Sequence, residues 1–145
     1  TCASLLLAGE GAKGVIAVHS DVPLMTPNDI KPVITSIEKS PAVTVVPADR
    51  DLGTNLLAMS PPGIIEYSYG KKSSLRHAMA ARAIGIEPTL IHASRLGLDL
   101  DTPEDLERFL SSPSDTKTFR YLVESGVRDR LLNQGTDGLQ VKAVG

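Results

Sequence analysis

Short β-branched apolar runs alternate along this chain with polar stretches that carry helix-start residues. The run GVIAV at 14–18 reads as a short buried strand, and AVTVVP at 42–47 and TNLLAMS at 54–60 read as two more, separated by the polar loop ADRDLG. PTLIHA at 88–93 predicts a fourth strand. Thr26, with Pro27 next and Asp29 three residues after the cap, predicts a helix whose core face is Ile30, Val33, Ile34 and Ile37 and which Pro41 stops. The same signature recurs at Thr102-Pro103-Glu104-Asp105, where Leu106, Phe109 and Leu110 would face inward. Ser73 or Ser74 predicts the cap of another helix, with Leu75, Met79 and Ala83 along one side and an end near Gly85. A last helical region, 116–132, carries Phe119, Leu122, Val123, Val127 and Leu131, and the tail from Asn133 is polar and Gly-rich. At the front, Ala3 to Leu7 are apolar or small and Gly9-Glu10-Gly11 closes that helix. Helix, strand, helix, strand, strand implies an α/β fold with a mixed sheet, and 145 residues fit a single domain, 1–145.

Composition narrows the picture. With 3% aromatic residues and no Trp, the core must be aliphatic. The formal net charge of -2, without any Lys/Arg stripe interleaved with aromatics, argues against sequence-specific nucleic-acid binding. The single cysteine, Cys2, excludes an internal disulfide and a cysteine-based zinc site and suits a reducing cytoplasm. No apolar run approaches the length of a membrane span. The opening TCASLLLAGEGAKG lacks an initiator Met and any secretion-signal pattern, so the sequence reads as the carboxyl-terminal part of a longer protein.

Chemistry is suggested where apolar runs give way to turns. In HSDVPLM, Asp21 stands just beyond a strand end, where open α/β sheets bind ligands. An Asp in a turn also bonds its own backbone commonly, but here Thr26 and Asp29 already supply the next helix cap. GLDLD at 97–101 places Asp99 and Asp101 after PTLIHA, alternating with leucines so that both acids share one face of an extended segment. They equally suit a solvated face beside the positive end of the following helix. Two carboxylates on neighbouring strands could hold Mg2+, which takes hard oxygen ligands and bridges phosphates. In YGKKSSLRH, Gly70 permits close backbone approach, Lys71 and Lys72 bring charge, the helix-start amides near Ser73 suit an anion, and His77 lies one turn on. An ordinary capped helix with two solvated lysines has the same spacing. Gly53-Thr54-Asn55 could present amides and two polar side chains to a ligand, or simply enter a strand. His19 and His92 read as packed or edge histidines, and the three histidines form no zinc pattern.

The ordered set SDVPLM, DLGTNLL, YGKKSSLRH and GLDLDTPEDL resembles the 2-phospho-L-lactate guanylyltransferase family, the CofC type, whose relatives include phosphoenolpyruvate guanylyltransferases. The resemblance runs from about Gly14 to Leu110. It implies a Rossmann-like mixed sheet of the nucleotide-diphospho-sugar transferase type, here lacking the amino-terminal strand and nucleotide loop. It implies a guanylyltransferase of coenzyme F-420 biosynthesis: a phosphorylated three-carbon acid attacks the α-phosphorus of GTP and pyrophosphate leaves. Carried over, Asp21 and Asp99 or Asp101 would be catalytic Mg2+ ligands. Asn55, preceded by Thr54, together with Gly70 and Ser73 and with His77 nearby, would contact the acid. The partners implied are small molecules, with neither nucleic acid nor membrane, and a homodimer is compatible with them. His19-Ser20 departs from the small or Pro-Ala residues usual before the Asp, and Asn55 stands where some relatives have Thr. The missing nucleotide loop predicts that this segment alone is inactive. Another nucleotidyltransferase, of the molybdenum-cofactor or sugar-phosphate type, or a non-catalytic nucleotide-binding remnant, are the competing readings.

Overall fold

A computed structural model describes residues 2–131. The elements are α1 (Cys2–Gly9), β1 (Val15–Val18), α2 (Pro27–Ser36), β2 (Ala42–Pro47), β3 (Thr54–Ser60), α3 (Ser73–Ala83), β4 (Thr89–Leu90), α4 (Ser94–Gly97), α5 (Pro103–Leu110) and α6 (Lys117–Glu124). The chain, one domain by its sequence, divides into two compact units, Thr1–Asp99 and Leu100–Gly145.

In the first unit the four strands form one mixed sheet in the order β1-β3-β2-β4. β3 pairs antiparallel with β1 and β2, and β4 runs parallel to β2. Alternation along β3 sorts two cores onto the two faces. Leu56 and Ala58 join Val22, Val33, Val46 and Leu96 on one. Leu57 and Met59 join Val43, Val45, Ile65 and Ala81 of α3 on the other. Leu56 and Leu57 are both essentially inaccessible, and each such burial stabilises by roughly 1.5–3 kcal/mol. The strand that begins with the candidate residues Thr54 and Asn55 is therefore held by core packing on both faces.

The first three strands and the caps at Thr26 and Thr102 stand, with corrections elsewhere. Asp29 Oδ2 accepts from the Thr26 amide at 2.9 Å, and Asp105 Oδ2 accepts from the Thr102 amide at 3.1 Å while the Asp105 amide donates to Thr102 Oγ1 at 3.3 Å. Val33 takes the central core position of α2, with Ile30 and Ile37 beside it, and leaves Ile34 exposed. The fourth strand is two residues, not six. After the Ile91 amide donates to Val45 O at 3.1 Å, the chain leaves the ladder and turns into α4, whose Leu96 amide returns to Ala93 O at 2.9 Å. α4 therefore separates the strand from the GLDLD acids.

The largest departure is α3. Its predicted apolar side, with Leu75 49% and Met79 67% exposed, faces out, whereas Ser73, Ser74, His77, Ala78 and Ala81 face in. Neither serine is the cap; that position belongs to Lys72, in left-handed conformation at φ 57°. In the second unit, Phe109 of α5 meets Phe119 of α6 edge-on, with ring centroids 5.9 Å apart. The long predicted helix breaks at Gly126, which adopts φ +69°, and is helical again over 127–131. Leu132 and the tail from Asn133 lie outside the described residues. No helix among the described residues is long and apolar enough to cross a membrane.

Candidate active site

One irregularity in the sheet builds the candidate site. Val46 pairs with Leu56, but the next residue, Pro47, pairs with Thr54, so the register slips and Asn55 has no opposite number. Such a slip moves side chains beyond it to the other face. Asn55 accordingly shares the face of Leu56, where its Nδ2 donates to Leu96 O at 2.9 Å, and Thr54 turns toward α3. The Asn55 carbonyl also accepts from the His19 amide at 3.0 Å, which fixes the start of the turn carrying Asp21.

Thr54 meets the inner face of α3 through hydrogen bonds. Its Oγ1 is 2.9 Å from Ser73 Oγ and 3.0 Å from His77 Nδ1, and the Ser68 amide donates to His77 Nε2 at 2.9 Å. Thr54, Ser73 and His77 are each at most 2% exposed. Burial, and secondarily the Arg76 guanidinium, push the His77 pKa below the usual imidazole value, which favours the neutral ring. Both ring nitrogens face protein partners.

The segment before α3 is shaped by residues that the sequence reading missed. Arg76 Nε donates to Ser68 Oγ at 2.8 Å, and its terminal nitrogens donate to the carbonyls of Lys71 at 2.7 Å, Tyr69 at 2.8 Å and Ser68 at 3.1 Å. One guanidinium thus ties the loop back onto its own helix. Gly70 adopts φ +100°, a conformation side chains disfavour. Tyr69 lies between two histidines, 5.0 Å by ring centroids from His19 and 5.7 Å from His77. Burial raises its phenol pKa, and Tyr67 beside it adds to the shift. Arg76 reaches its partners across five to eight residues by the way the backbone of this loop folds back, which residue spacing does not contain.

The helix-start amides do not form the anion site predicted for them. The Ser73 amide donates to Gly70 O at 3.0 Å and the Ser74 amide to Leu52 O at 3.1 Å. With Lys72 N to Asp51 O at 3.1 Å and Ser74 Oγ to Leu52 O at 2.7 Å, these bonds lace loop 49–53 to the start of α3. Ser73 is itself fully buried, so what remains exposed to an anion there is Lys71 and Lys72.

Asp21 sits in the turn after β1, and its Oδ1 is buried with no hydrogen-bond partner among the described residues. Buried carboxylate oxygens are normally satisfied, so this one calls for a cation or a ligand donor. Asp99 follows α4 in the first unit, half-buried, and Asp101 opens the second, exposed. No group of three or more His, Cys, Asp or Glu placed to hold a metal occurs among the described residues. Mg2+ does not require one, because it keeps several waters and takes one or two carboxylates plus phosphate oxygens. The Asp21 oxygen is of the right chemistry for it.

This sheet and its flanking helices define the class first: the fold is that of nucleotide-diphospho-sugar transferases. A putative nucleotide-diphospho-sugar transferase from Desulfovibrio desulfuricans G20 superposes with a TM-score of 0.69 at 18% identity, over 92% of this chain and 59% of that one. The family "Guanylyl transferase CofC like" matches residues 5–142, and the chain belongs to it. A phosphoenolpyruvate guanylyltransferase from Rubrobacter xylanophilus is 34% identical over 71% of this chain and 50% of its own length. A 3-phospho-D-glycerate guanylyltransferase from Colwellia psychrerythraea is 36% identical over 68% and 47%. A 2-phospho-L-lactate guanylyltransferase from Methanocaldococcus jannaschii is 30% identical over 79% and 50%. The chain spans about half the length of these curated relatives.

Proposed function

We propose that the whole protein is a guanylyltransferase that joins GMP from GTP to a small phosphorylated three-carbon acid and releases pyrophosphate, as a cytoplasmic step toward coenzyme F-420. The observation that carries this reading is the unpartnered buried Oδ1 of Asp21, standing beyond a strand end in a chain of this family. A phosphate oxygen of the acid attacks the α-phosphorus of GTP and pyrophosphate leaves, so no side chain becomes covalently modified. Such chemistry needs charge neutralisation and positioning more than a protein nucleophile.

Asp21 would hold Mg2+ with a second acid, for which Asp99 is the candidate in the same unit, and the ion when bound would neutralise phosphate charge. Ser73, Gly70 and the strand end at Thr54 and Asn55 would receive the acid. Lys71 and Lys72 would draw its anionic groups toward the loop. Phospholactate, phosphoenolpyruvate and phosphoglycerate differ by small groups worth about 1–3 kcal/mol in a pocket, so a direct comparison must choose among them.

The test is to incubate the whole protein with GTP, Mg2+ and each acid in turn, following pyrophosphate release and the guanylylated product by mass spectrometry. Product with one or more of the acids is expected. Turnover of a sugar phosphate instead, or nucleotide binding without turnover of any acid, would overturn the reading.

A further inference from the structure

We infer that Tyr69 is a positioning residue: its ring, held by His19, Tyr67 and His77, couples the turn that carries Asp21 to the loop 68–71, so that neither shifts without the other. The inference deepens the proposed function and rests on it for what the two segments bind.

Rings from three segments meet the Tyr69 ring. His19, in the turn after β1, lies tilted at 46° with centroids 5.0 Å apart, Tyr67 stacks at 6.0 Å and 23°, and His77 of α3 stands at 5.7 Å and 75°. Aromatic pairs attract in such offset and edge-on arrangements, at centroid separations of about 4.5–7 Å. Each of the three neighbours is fixed by something other than this contact. The His19 amide donates to Asn55 O at 3.0 Å, the Tyr67 hydroxyl lies 2.6 Å from Ser4 Oγ of α1, and His77 is bonded at both ring nitrogens, to Thr54 Oγ1 and to the Ser68 amide. The main chain of Tyr69 belongs to the loop, where its carbonyl accepts from Arg76 at 2.8 Å, while its ring reaches the turn. Asp21 stands two residues beyond His19, and its buried Oδ1 has no hydrogen-bond partner among the described residues, so its place depends on how the turn is held. On the other side, Gly70 at φ +100° and the exposed Lys71 follow Tyr69 directly. A tyrosine that only filled the core would be buried, whereas this one is 41% exposed. One that only lay on the surface would have no reason to meet rings from three segments.

Amide exchange and metal binding, both measured on the whole protein, decide this. Exchange should be reciprocal: Tyr69→Ala quickens it at 19–21 and His19→Ala quickens it at 68–71, whereas Tyr69→Phe, which keeps the ring, changes neither. Binding of Mn2+, a paramagnetic stand-in for Mg2+, should weaken by about three- to ten-fold in Tyr69→Ala, the scale of one aromatic pair, although that side chain is no metal ligand. The KM for the acid should rise in the same variant by a similar factor and stay level in Tyr69→Phe. Tyr69→Ala combined with His19→Ala should bind Mn2+ no worse than the poorer single variant, because both cut one link. Exchange that quickens only in the substituted segment, Mn2+ binding or an acid KM unchanged in Tyr69→Ala, losses that add in the double variant, or a Tyr69→Phe that behaves like Tyr69→Ala each overturn the inference. If the unaltered protein guanylylates none of the three acids, the functional reading falls, while the reciprocal exchange still decides the coupling.

Discussion

Thr54 reaches His77, 3.0 Å from Oγ1 to Nδ1, because β3 slips its register against β2 at Asn55. Without that slip Thr54 would lie on the face of Leu56 and Ala58, and the inner face of α3 would have no hydroxyl to meet. The polar side of a helix is thereby turned into the core without leaving its groups unpaired, which would cost about 1–3 kcal/mol each.

Asp21→Asn should lower turnover of the whole protein by about a hundred-fold or more, the scale on which removal of one electrostatic stabiliser acts. Its thermal midpoint should stay level or rise, because the substitution removes a charge whose buried oxygen has no partner in the fold. Near-normal turnover at saturating Mg2+ would refute the metal-ligand role.

At the loop, Ser73→Ala and Gly70→Val should raise the acid KM far more than the GTP KM. Gly70→Val should also destabilise by about 1–3 kcal/mol, since valine must adopt the φ of +100° found there. Steady-state kinetics with each substrate varied, beside urea unfolding, checks both parts. A loss confined to GTP would mean that the two substrates sit on the opposite sides.

Arg76→Lys should disorder the segment 68–71 and raise the acid KM by several-fold, although it preserves the charge. A lysine ammonium cannot span the Ser68, Tyr69 and Lys71 acceptors that the planar guanidinium bridges. Amide exchange at 68–71 should quicken in the variant, and unchanged exchange would show that the loop holds itself.

The His77 shift fixes a pH dependence. Its folded pKa lies below the ordinary imidazole value, so near that value the unfolded chain binds more protons. The resulting stability is present above the unfolded value and is lost as pH falls from there through the folded one. Acidification over this window should therefore destabilise the protein more than it destabilises His77→Asn, with Arg76 and Tyr69, the neighbours of the ring, unchanged in both. Parallel pH profiles of the unfolding midpoints would show that His77 does not titrate in the fold.

Much of this architecture is legible in the residues. Val15–Val18, Ala42–Pro47 and Thr54–Ser60 are dense in β-branched and aliphatic residues and bounded by polar turns, and the caps at Thr26 and Thr102 are local chemistry. α3 is not legible, because periodicity assigns Leu75 and Met79 to the core by default, while its true inner face is set by partners twenty residues away on β3. The slip at Asn55 is equally hidden: register belongs to a pair of strands, and neither strand states it alone. The candidate residues Thr54, Asn55, Gly70, Ser73 and His77 are brought to one end of the sheet around β3 and α3. Asp99 and Asp101 follow α4, in separate units.

The lacing of loop 49–53 to the first turn of α3 makes the length of one segment a property of the other. An insertion or deletion after Asp51 would drag on Lys72 and Ser74 through their bonds to Asp51 and Leu52, and so shift Ser73 without altering a single residue that faces the crevice. Efforts to redirect this scaffold to a larger or smaller substrate have a handle there: exchanging the two loops as a matched pair should transplant the geometry intact, whereas grafting either one alone should scramble it.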